Sequence, residues 1–126
     1  MLGKKSVVTF VATKQPKRAK RFYGEVLGLR LVAETPFALE FDAGGTMLRV
    51  TPVKEPVIAP YTVLGWDVPD IRKIVKALKK KRVAFQRFDF LEQDDLGIWA
   101  SPSGAKVAWF KDPDGNTLSL TQFKKK

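Results

Sequence analysis

The two halves of this sequence repeat one order of patterns, and this internal repeat limits the folds that the chain can adopt. Each half opens with an alternating apolar stretch, at residues 7–11 and 61–66. Each continues into an amphipathic segment that begins at a proline, Pro16 or Pro69, and each closes with a glycine and a short alternating strand. The opening stretches lie about 55 positions apart and the closing ones about 70, so the second half carries an insertion. The repeat predicts two similar modules side by side, with a candidate site in the cleft between them.

The first amphipathic segment predicts a helix with one buried stripe. Its apolar residues recur at helical spacing: Ala19, Phe22, Tyr23, Val26 and Leu27. Pro16 suits the first position of a helix, and Gly28 suits the left-handed stop behind it. Three alternating segments follow, at 29–34, 37–42 and 46–51. This half therefore reads as β-α-β-β-β.

The second half repeats this plan with extra residues behind its helix, which we place at 69–78. Strand character then occurs at 82–88, 97–101, 105–111 and 115–120. Three prolines between residues 51 and 60 mark a connector, because proline lacks the donor that a central strand needs. The chain is predicted to form one domain over residues 1–126, with module one at about 6–52, a connector at about 53–60 and module two at about 61–123.

The composition removes whole classes of chemistry. There is no cysteine, which excludes disulfides, thiolate nucleophiles and Cys-ligated metal sites. There is no histidine, so Ser-His-Asp and Cys-His triads are impossible and any metal would need carboxylate or backbone oxygen ligands. No apolar run approaches the ~18–20 residues of a membrane span, and no secretory signal is visible. We expect a cytoplasmic location and no membrane association.

The formal charge of +10 suggests binding to nucleic acid or to an acidic partner as one alternative. The basic residues form three clusters, at 14–21, 72–82 and 124–126. The first two fill the polar faces of predicted helices, which is typical of a solvated surface. Since no nucleic-acid-binding motif is present, we do not favour nucleic acid as the partner.

Two groups of phrases resemble the vicinal oxygen chelate superfamily, which includes glyoxalase I, bleomycin-resistance proteins and extradiol dioxygenases. They are RAKRFY at 18–23 with VLGL at 26–29, and DPDGN at 112–116 with Leu118. The resemblance covers nearly the whole chain. It implies an α+β fold in which two tandem βαβββ modules form a half-open mixed-sheet barrel around a cleft. It says little about the reaction.

Enzymes of that superfamily commonly hold a divalent metal with one side chain from the opening strand and one from the closing strand of each module. Carried over to this sequence, the four positions are Val8, Arg49, Val63 and Ser119. None of these is a competent ligand, and a permanent positive charge at Arg49 would repel a cation. We therefore expect no metal and no other cofactor.

Arg49 is the first candidate for ligand binding. If it points into the cleft, its planar fork of donors can bind a carboxylate or a phosphate of a small anionic molecule. The alternatives are an internal ion pair, with Glu40 or Glu92 as the partner, and a solvent-facing side chain.

Aromatic and hydroxyl side chains complete the predicted ligand site. Trp99 lies in the inserted segment, and Trp66 and Tyr61 lie on the opening strand of module two. Most aromatic residues of a small domain pack in its core, and Trp99 is the best candidate for a pocket wall. Ser119 and Thr121 share one face of the closing strand and are candidates for orienting a ligand.

The acidic side chains have two interpretations. Glu92, Asp94 and Asp95 form a loop that could meet a cationic ligand, or partner nearby lysines. Asp112 and Asp114 are assigned to turn geometry.

These observations favour a metal-independent small-molecule-binding protein that forms a homodimer. An alternative is a lyase, isomerase or hydrolase of the same superfamily, with Arg49 as electrostatic stabiliser, a carboxylate as base and Tyr61 as acid. The second alternative is the basic protein that binds nucleic acid or an acidic partner.

Overall fold

Each half of the sequence folds into one four-stranded mixed sheet with a helix on one face. The structure is a computed structural model that describes residues 1–125, and it comprises two units, Met1–Ile58 and a second that starts at Ala59. Lys126, the last residue of the third basic cluster, lies outside the described residues. The predicted α+β class with two βαβββ modules is confirmed. The cleft between the modules stays a prediction.

Module one is built from a short helix and four strands. Its elements are β1 (Val8–Thr13), α1 (Pro16–Arg21), a π-helical turn (Phe22–Val26), β2 (Arg30–Glu34), β3 (Leu39–Ala43) and β4 (Thr46–Pro52). The strand order is β1-β4-β3-β2, with β1 parallel to β4 and the other pairs antiparallel. Alternate residues of each strand face the helix and form the core, where Tyr23, Phe41 and Leu48 have no exposed surface.

The first helix changes its winding halfway along. The backbone N–H of Leu27 donates to the carbonyl oxygen of Phe22 at 2.9 Å, five residues back, as in a π-turn. Gly28 then ends the helix with φ at 79°, as the sequence predicts. The wider turn rotates the residues behind it, so Tyr23 is buried while Phe22 and Val26 of the predicted stripe are only half-buried.

Module two has the same topology as module one. Its elements are β5 (Leu64–Asp67), α2 (Ile71–Lys80), β6 (Trp99–Ala100), β7 (Lys106–Lys111) and β8 (Thr117–Gln122). The order β5-β8-β7-β6, with β5 parallel to β8, repeats that of module one strand for strand. Phe110 pairs with Leu118 as Phe41 pairs with Leu48, and all four side chains are fully buried. The sequence repeat is therefore a structural repeat.

Helix α2 is capped at its start and strained at its end. The side chain of Asp70 accepts a hydrogen bond from the backbone N–H of Lys73 at 3.2 Å. The buried face of the helix carries Ile71, Val75 and Leu78. Behind it, Arg82 adopts φ at 69°, a left-handed conformation in which glycine is the usual residue.

Module two departs from the sequence prediction in two places. Strand β5 begins at Leu64, so Tyr61 precedes it and is 66% exposed. The segment 82–88 is not a strand, because only an isolated bridge between Phe85 and Phe110 pairs it with the sheet. The long stretch behind α2 is instead held by Gln93, whose side chain amide donates to the carbonyl oxygens of Gln86 and Gly97.

No helix within residues 1–125 is both long and apolar enough to cross a membrane.

Candidate functional site

The candidate residues lie on the open faces of the two sheets, meaning the faces that do not pack on the helix of the same module. In module one the centre of this face is a row of three neighbouring side chains across the strands, Phe10, Arg49 and Glu40. Arg49 Nη1 donates to Glu40 Oε2, and both side chains are largely buried, at 29% and 17% exposed. Phe10 beside them is 60% exposed.

Arg49 therefore adopts the internal ion pair with Glu40, one of the alternatives that the sequence left open. This contact occupies one of the guanidinium nitrogens. Within residues 1–125, its side chain makes no other hydrogen bond. A ligand role for Arg49 stays a prediction, with Glu40 as a neutralising neighbour.

Asp42 lies two residues from Glu40 on the same open face. The backbone N–H of Gly45 donates to its carboxylate at 2.8 Å, and the Arg30 guanidinium donates at 3.2 Å. These hydrogen bonds, with the one from Gly45 dominant, hold the pKa of Asp42 below its ordinary value of 3.8. The carboxylate is therefore fully ionised at neutral pH.

In module two the equivalent row is Gly65, Ser119 and Trp109. Ser119 packs closely against Gly65, since a Cβ atom at position 65 would lie 2.8 Å from Ser119 Oγ. Ser119 as a residue is only 7% exposed. Its hydroxyl makes no hydrogen bond with any residue of the described chain, 1–125. No buried side-chain nitrogen or oxygen in that part of the chain lacks a partner, so the hydroxyl oxygen of Ser119 keeps some surface exposed.

Aromatic rings border this hydroxyl. The indole rings of Trp109 and Trp99 lie 6.1 Å apart between centroids, and Phe88 meets Trp109 edge-on at 5.4 Å. Both tryptophans are half-buried. Thr121, the next residue of β8 on this face, pairs with Val107, which is also the partner of Trp99. The structure thus brings Trp99, Ser119 and Thr121 to one face.

Two other predicted site residues lie elsewhere. Trp66 pairs with Leu120 and stacks on Phe110 at 6.4 Å, so it lies on the helix side of the sheet, away from Ser119. The reason is strand alternation, because Trp66 follows Gly65 and must point to the other face. Tyr61 lies outside the strand and is largely exposed. We therefore leave Trp66 out of the site that we describe.

The four positions implied by the resemblance do not fit a metal ion. Val8 and Val63 carry hydrocarbon side chains, which have no lone pair to donate. Arg49 is cationic, and Ser119 alone offers a neutral oxygen. Within residues 1–125, no three His, Cys, Asp or Glu side chains lie together as a metal-binding group would require.

The acidic loop borders a groove of about 510 Å³ at the outer edge of module two, and Trp99 also lines this groove. Asp94 accepts hydrogen bonds from the backbone N–H groups of Leu96 and Ile98, and its second oxygen binds Arg72 at 3.0 Å. Asp95 lies 3.8 Å from the same guanidinium. These contacts match the interpretation that the loop partners nearby cations.

Sequence reasoning missed Gln93 and Gly65. The contact between Gly65 and Ser119 joins residues that are distant in sequence, and no local pattern identifies Gln93 as the residue that holds its loop.

Comparison with known proteins identifies relatives. The family model of the Glyoxalase/Bleomycin resistance protein/Dioxygenase superfamily matches residues 6–120. A protein of that superfamily from Alicyclobacillus acidocaldarius has 18% identity and a TM-score of 0.73, covering 97% of this chain and 93% of its own. Lactoylglutathione lyase from Agrobacterium tumefaciens has 16% identity and a TM-score of 0.73, covering 95% of each chain. TioX from Micromonospora sp. ML1 has 20% identity and a TM-score of 0.70, covering 95% and 99%.

At these identities the solved structures show the fold alone. No protein of curated function matches the sequence significantly.

Proposed function

The chain belongs to the Glyoxalase/Bleomycin resistance protein/Dioxygenase superfamily, and from that membership we propose that it binds a small organic molecule without a metal ion. The proposal has two parts, the chemistry of the ligand positions and the surface on which the molecule would lie. Each part is tested separately below.

The donor set supports metal independence. Two of the four positions are valines, and a third is an arginine held by Glu40. A divalent cation would have to displace this ion pair and would still gain only one neutral oxygen, from Ser119. Because Zn²⁺, Ni²⁺ and Fe²⁺ sites use several nitrogen, sulfur or carboxylate ligands, such a set would bind them weakly.

The observation that carries the binding surface is the unpartnered hydroxyl of Ser119. It keeps exposed surface, it packs against Gly65, and Trp109 lies opposite it on the neighbouring strand with Trp99 beyond. A ligand that accepts or donates a hydrogen bond there would replace water as the partner of the hydroxyl, while its apolar part contacts Trp109 and Trp99. Apolar walls with few polar groups are the usual composition of small-molecule sites.

Arg49 supports an anionic group on the ligand, as the sequence suggests. Glu40 occupies one nitrogen of the guanidinium, and the remaining N–H groups can still donate to a carboxylate. The neighbouring negative charge of Glu40 opposes such binding. We therefore rest the proposed surface on Ser119 and its neighbours in module two, and keep Arg49 of module one as a separate candidate for binding an anion.

Metal content tests the first part. The purified protein is incubated with Zn²⁺, Ni²⁺, Mn²⁺ or Fe²⁺, passed through gel filtration and analysed by mass spectrometry of the metal. We expect well under one ion per chain, and a melting temperature that EDTA does not change. One tightly held ion per chain would refute metal independence.

Fluorescence tests the second part with a defined probe, anilinonaphthalene sulfonate, which combines aromatic rings with an anionic group. We expect saturable binding that Trp99→Ala weakens at least several-fold. Trp66→Phe is the matched control, since Trp66 lies on the helix side of the sheet, and it should leave binding unchanged. Equal effects of the two substitutions would argue against the proposed surface.

An enzymatic role remains the alternative, and the position of Glu40 gives it one specific support. A base for a lyase, isomerase or hydrolase must be a carboxylate here, and Glu40 contacts Arg49 directly. Turnover of α-keto acids, thiol adducts or catechols that is lost in both Glu40→Gln and Arg49→Met would establish this alternative. The expected homodimer is checked by light scattering, as twice the 14.2 kDa of one chain.

A further inference from the structure

The solvent face of helix α2 carries charge of only one sign. Between Asp70 and Asp89 there is no acidic residue, whereas the same stretch holds eight basic ones. Five of them lie on α2 itself: Arg72, Lys73, Lys76, Lys79 and Lys80. Surface helices of soluble proteins usually mix both signs, because unlike neighbours stabilise the helix and like neighbours repel. The solvent face of α2 is therefore a concentrated positive surface.

The five side chains form a continuous stripe, which we call the basic stripe. At 3.6 residues per turn they fall within an arc of about 120°, and the buried residues Ile71, Val75 and Leu78 lie on the rest of the surface. All five are exposed. Within the described residues, only Arg72 of the five makes an ion pair, with Asp94 and Asp95. Four ammonium groups are therefore available to a partner.

The end of the helix supplies an independent observation. The first module ends its helix with Gly28 at φ 79°, the residue that this conformation favours. The second module has Arg82 at φ 69°, in a conformation that strains a side chain. Arg82 is exposed and makes no ion pair with any residue of the described part. A cation thus extends the basic stripe at a position where glycine would relieve strain.

We propose that the basic stripe and Arg82 form a docking surface for the phosphate backbone of a nucleic acid. The stripe is about 12 Å long from Arg72 to Lys80. A duplex presents about seven phosphate charges over that length, one per ~1.7 Å, so four lysines can each meet a phosphate. This surface is separate from the small-molecule face of the proposed function. It has no aromatic or hydrogen-bonding pattern for base edges, so binding is independent of sequence.

Salt-dependent binding to a 20-base-pair duplex tests the proposal. Neutralisation of five phosphates, by the four lysines and Arg82, predicts a slope of about −4.5 in log affinity against log salt, or a loss of about 500-fold between 50 and 200 mM. The variant with Lys73, Lys76, Lys79 and Lys80 all changed to Gln should reduce this slope to about −0.9. Its buried face is intact, and circular dichroism and melting temperature confirm that it is folded.

A variant of equal net charge separates the basic stripe from bulk electrostatics. Lys4, Lys5, Lys17 and Lys54 are exposed lysines of the first unit, Met1–Ile58, and their joint change to Gln removes the same charge. We expect this control to keep most of the affinity. Equal losses in the two variants would overturn the docking surface, and so would the absence of binding at 50 mM salt.

Arg82→Gly sharpens the test, because it separates structural from binding roles. The substitution relieves the left-handed strain and should raise the melting temperature. It also removes one phosphate contact, which makes the negative salt slope less steep by about 0.9. Unchanged affinity would remove Arg82 from the surface. Vesicles that contain phosphatidylserine serve as the competing partner, and capture by vesicles without binding to the duplex would overturn the proposal.

Discussion

Modules one and two share a strand order and a core, but they differ at the centre of their open faces. The central rows are Phe10, Arg49 and Glu40 in module one, and Gly65, Ser119 and Trp109 in module two. One row pairs its two charges with each other, whereas the other carries a hydroxyl that packs against a glycine and has no hydrogen-bond partner within residues 1–125. On the helix side the equivalent residues Phe41 and Phe110 are both buried phenylalanines.

The contrast shows where this fold tolerates change. A residue that faces the helix must fill a fixed volume, because protein interiors are close-packed. A residue on the open face is limited only by its cross-strand neighbours, so the two rows can diverge without loss of the fold. Function can therefore be sought on the faces that differ.

The largest expected effect tests the shared core. Phe41→Ala and Phe110→Ala each remove a fully buried ring from an equivalent position. We expect each to lower the free energy of unfolding by about 3–5 kcal/mol, measured by urea denaturation. A substitution that costs under about 1 kcal/mol would show that the two cores are not equivalent.

The second prediction compares the centres of the two rows. Arg49→Met leaves the largely buried carboxylate of Glu40 without its partner, and we expect a loss of about 1–2 kcal/mol, less than the ~3–5 of a fully buried pair. Adding Glu40→Gln to Arg49→Met should restore much of the lost stability, because it removes the unpaired charge. Ser119→Ala removes a hydroxyl that has no partner, so its effect should stay within about 0.5 kcal/mol. Equal losses for Arg49→Met and Ser119→Ala would contradict the comparison.

The third prediction concerns the close packing of Ser119 against Gly65 in module two. In Gly65→Ala the new Cβ would meet Ser119 Oγ at 2.8 Å, and we expect a destabilisation of about 1 kcal/mol with weaker binding of the fluorescent probe. The double variant with Ser119→Ala removes this contact and should recover stability, because alanine is a better strand residue than glycine. A double-mutant cycle measures the coupling, and additivity would show that no clash exists.

The smallest effect is a pH dependence of module one. The pKa of Asp42 is lowered in the folded state, so its contribution to stability is present above about pH 4 and is lost as the pH falls through the folded pKa. Asp42→Asn should therefore make the melting temperature depend less on pH between about pH 2 and 5. Asp89→Asn is the control, since Asp89 makes no hydrogen bond or ion pair within residues 1–125. Identical acid profiles for the two variants would refute the assignment.

The fold was predictable because its signals are local. The helix start at Pro16, the stop at Gly28 and the turn at Asp112 each depend on residues close in sequence, and the structure confirms them. Asp112 accepts hydrogen bonds from the backbone N–H groups of Asp114 and Asn116, as its turn role requires. The π-turn at Phe22 was missed, because no local residue pattern distinguishes it from an α-turn.

The candidate site was less predictable because it depends on register. The choice between a cleft-facing Arg49 and a pair with Glu40 is decided by which residue of β3 lies opposite, and the sequence does not contain that pairing. Trp66 and Ser119 were both predicted as ligand-binding residues, although one residue of alternation places them on opposite faces of the sheet. The close contact at Gly65 exists because Ser119, more than fifty residues away in sequence, lies next to it.

The parallel pairing of β1 with β4, and of β5 with β8, has a consequence for biosynthesis. Within residues 1–125, the opening strand of each module pairs with the closing strand and with no other strand of its sheet, so a ribosome must deliver β4 or β8 before that sheet can be assembled. Until then the opening strand has an unsatisfied backbone and an apolar face exposed to other chains. Residues 117–122 complete the second sheet, which makes loss of this short segment far more damaging to module two than its length suggests.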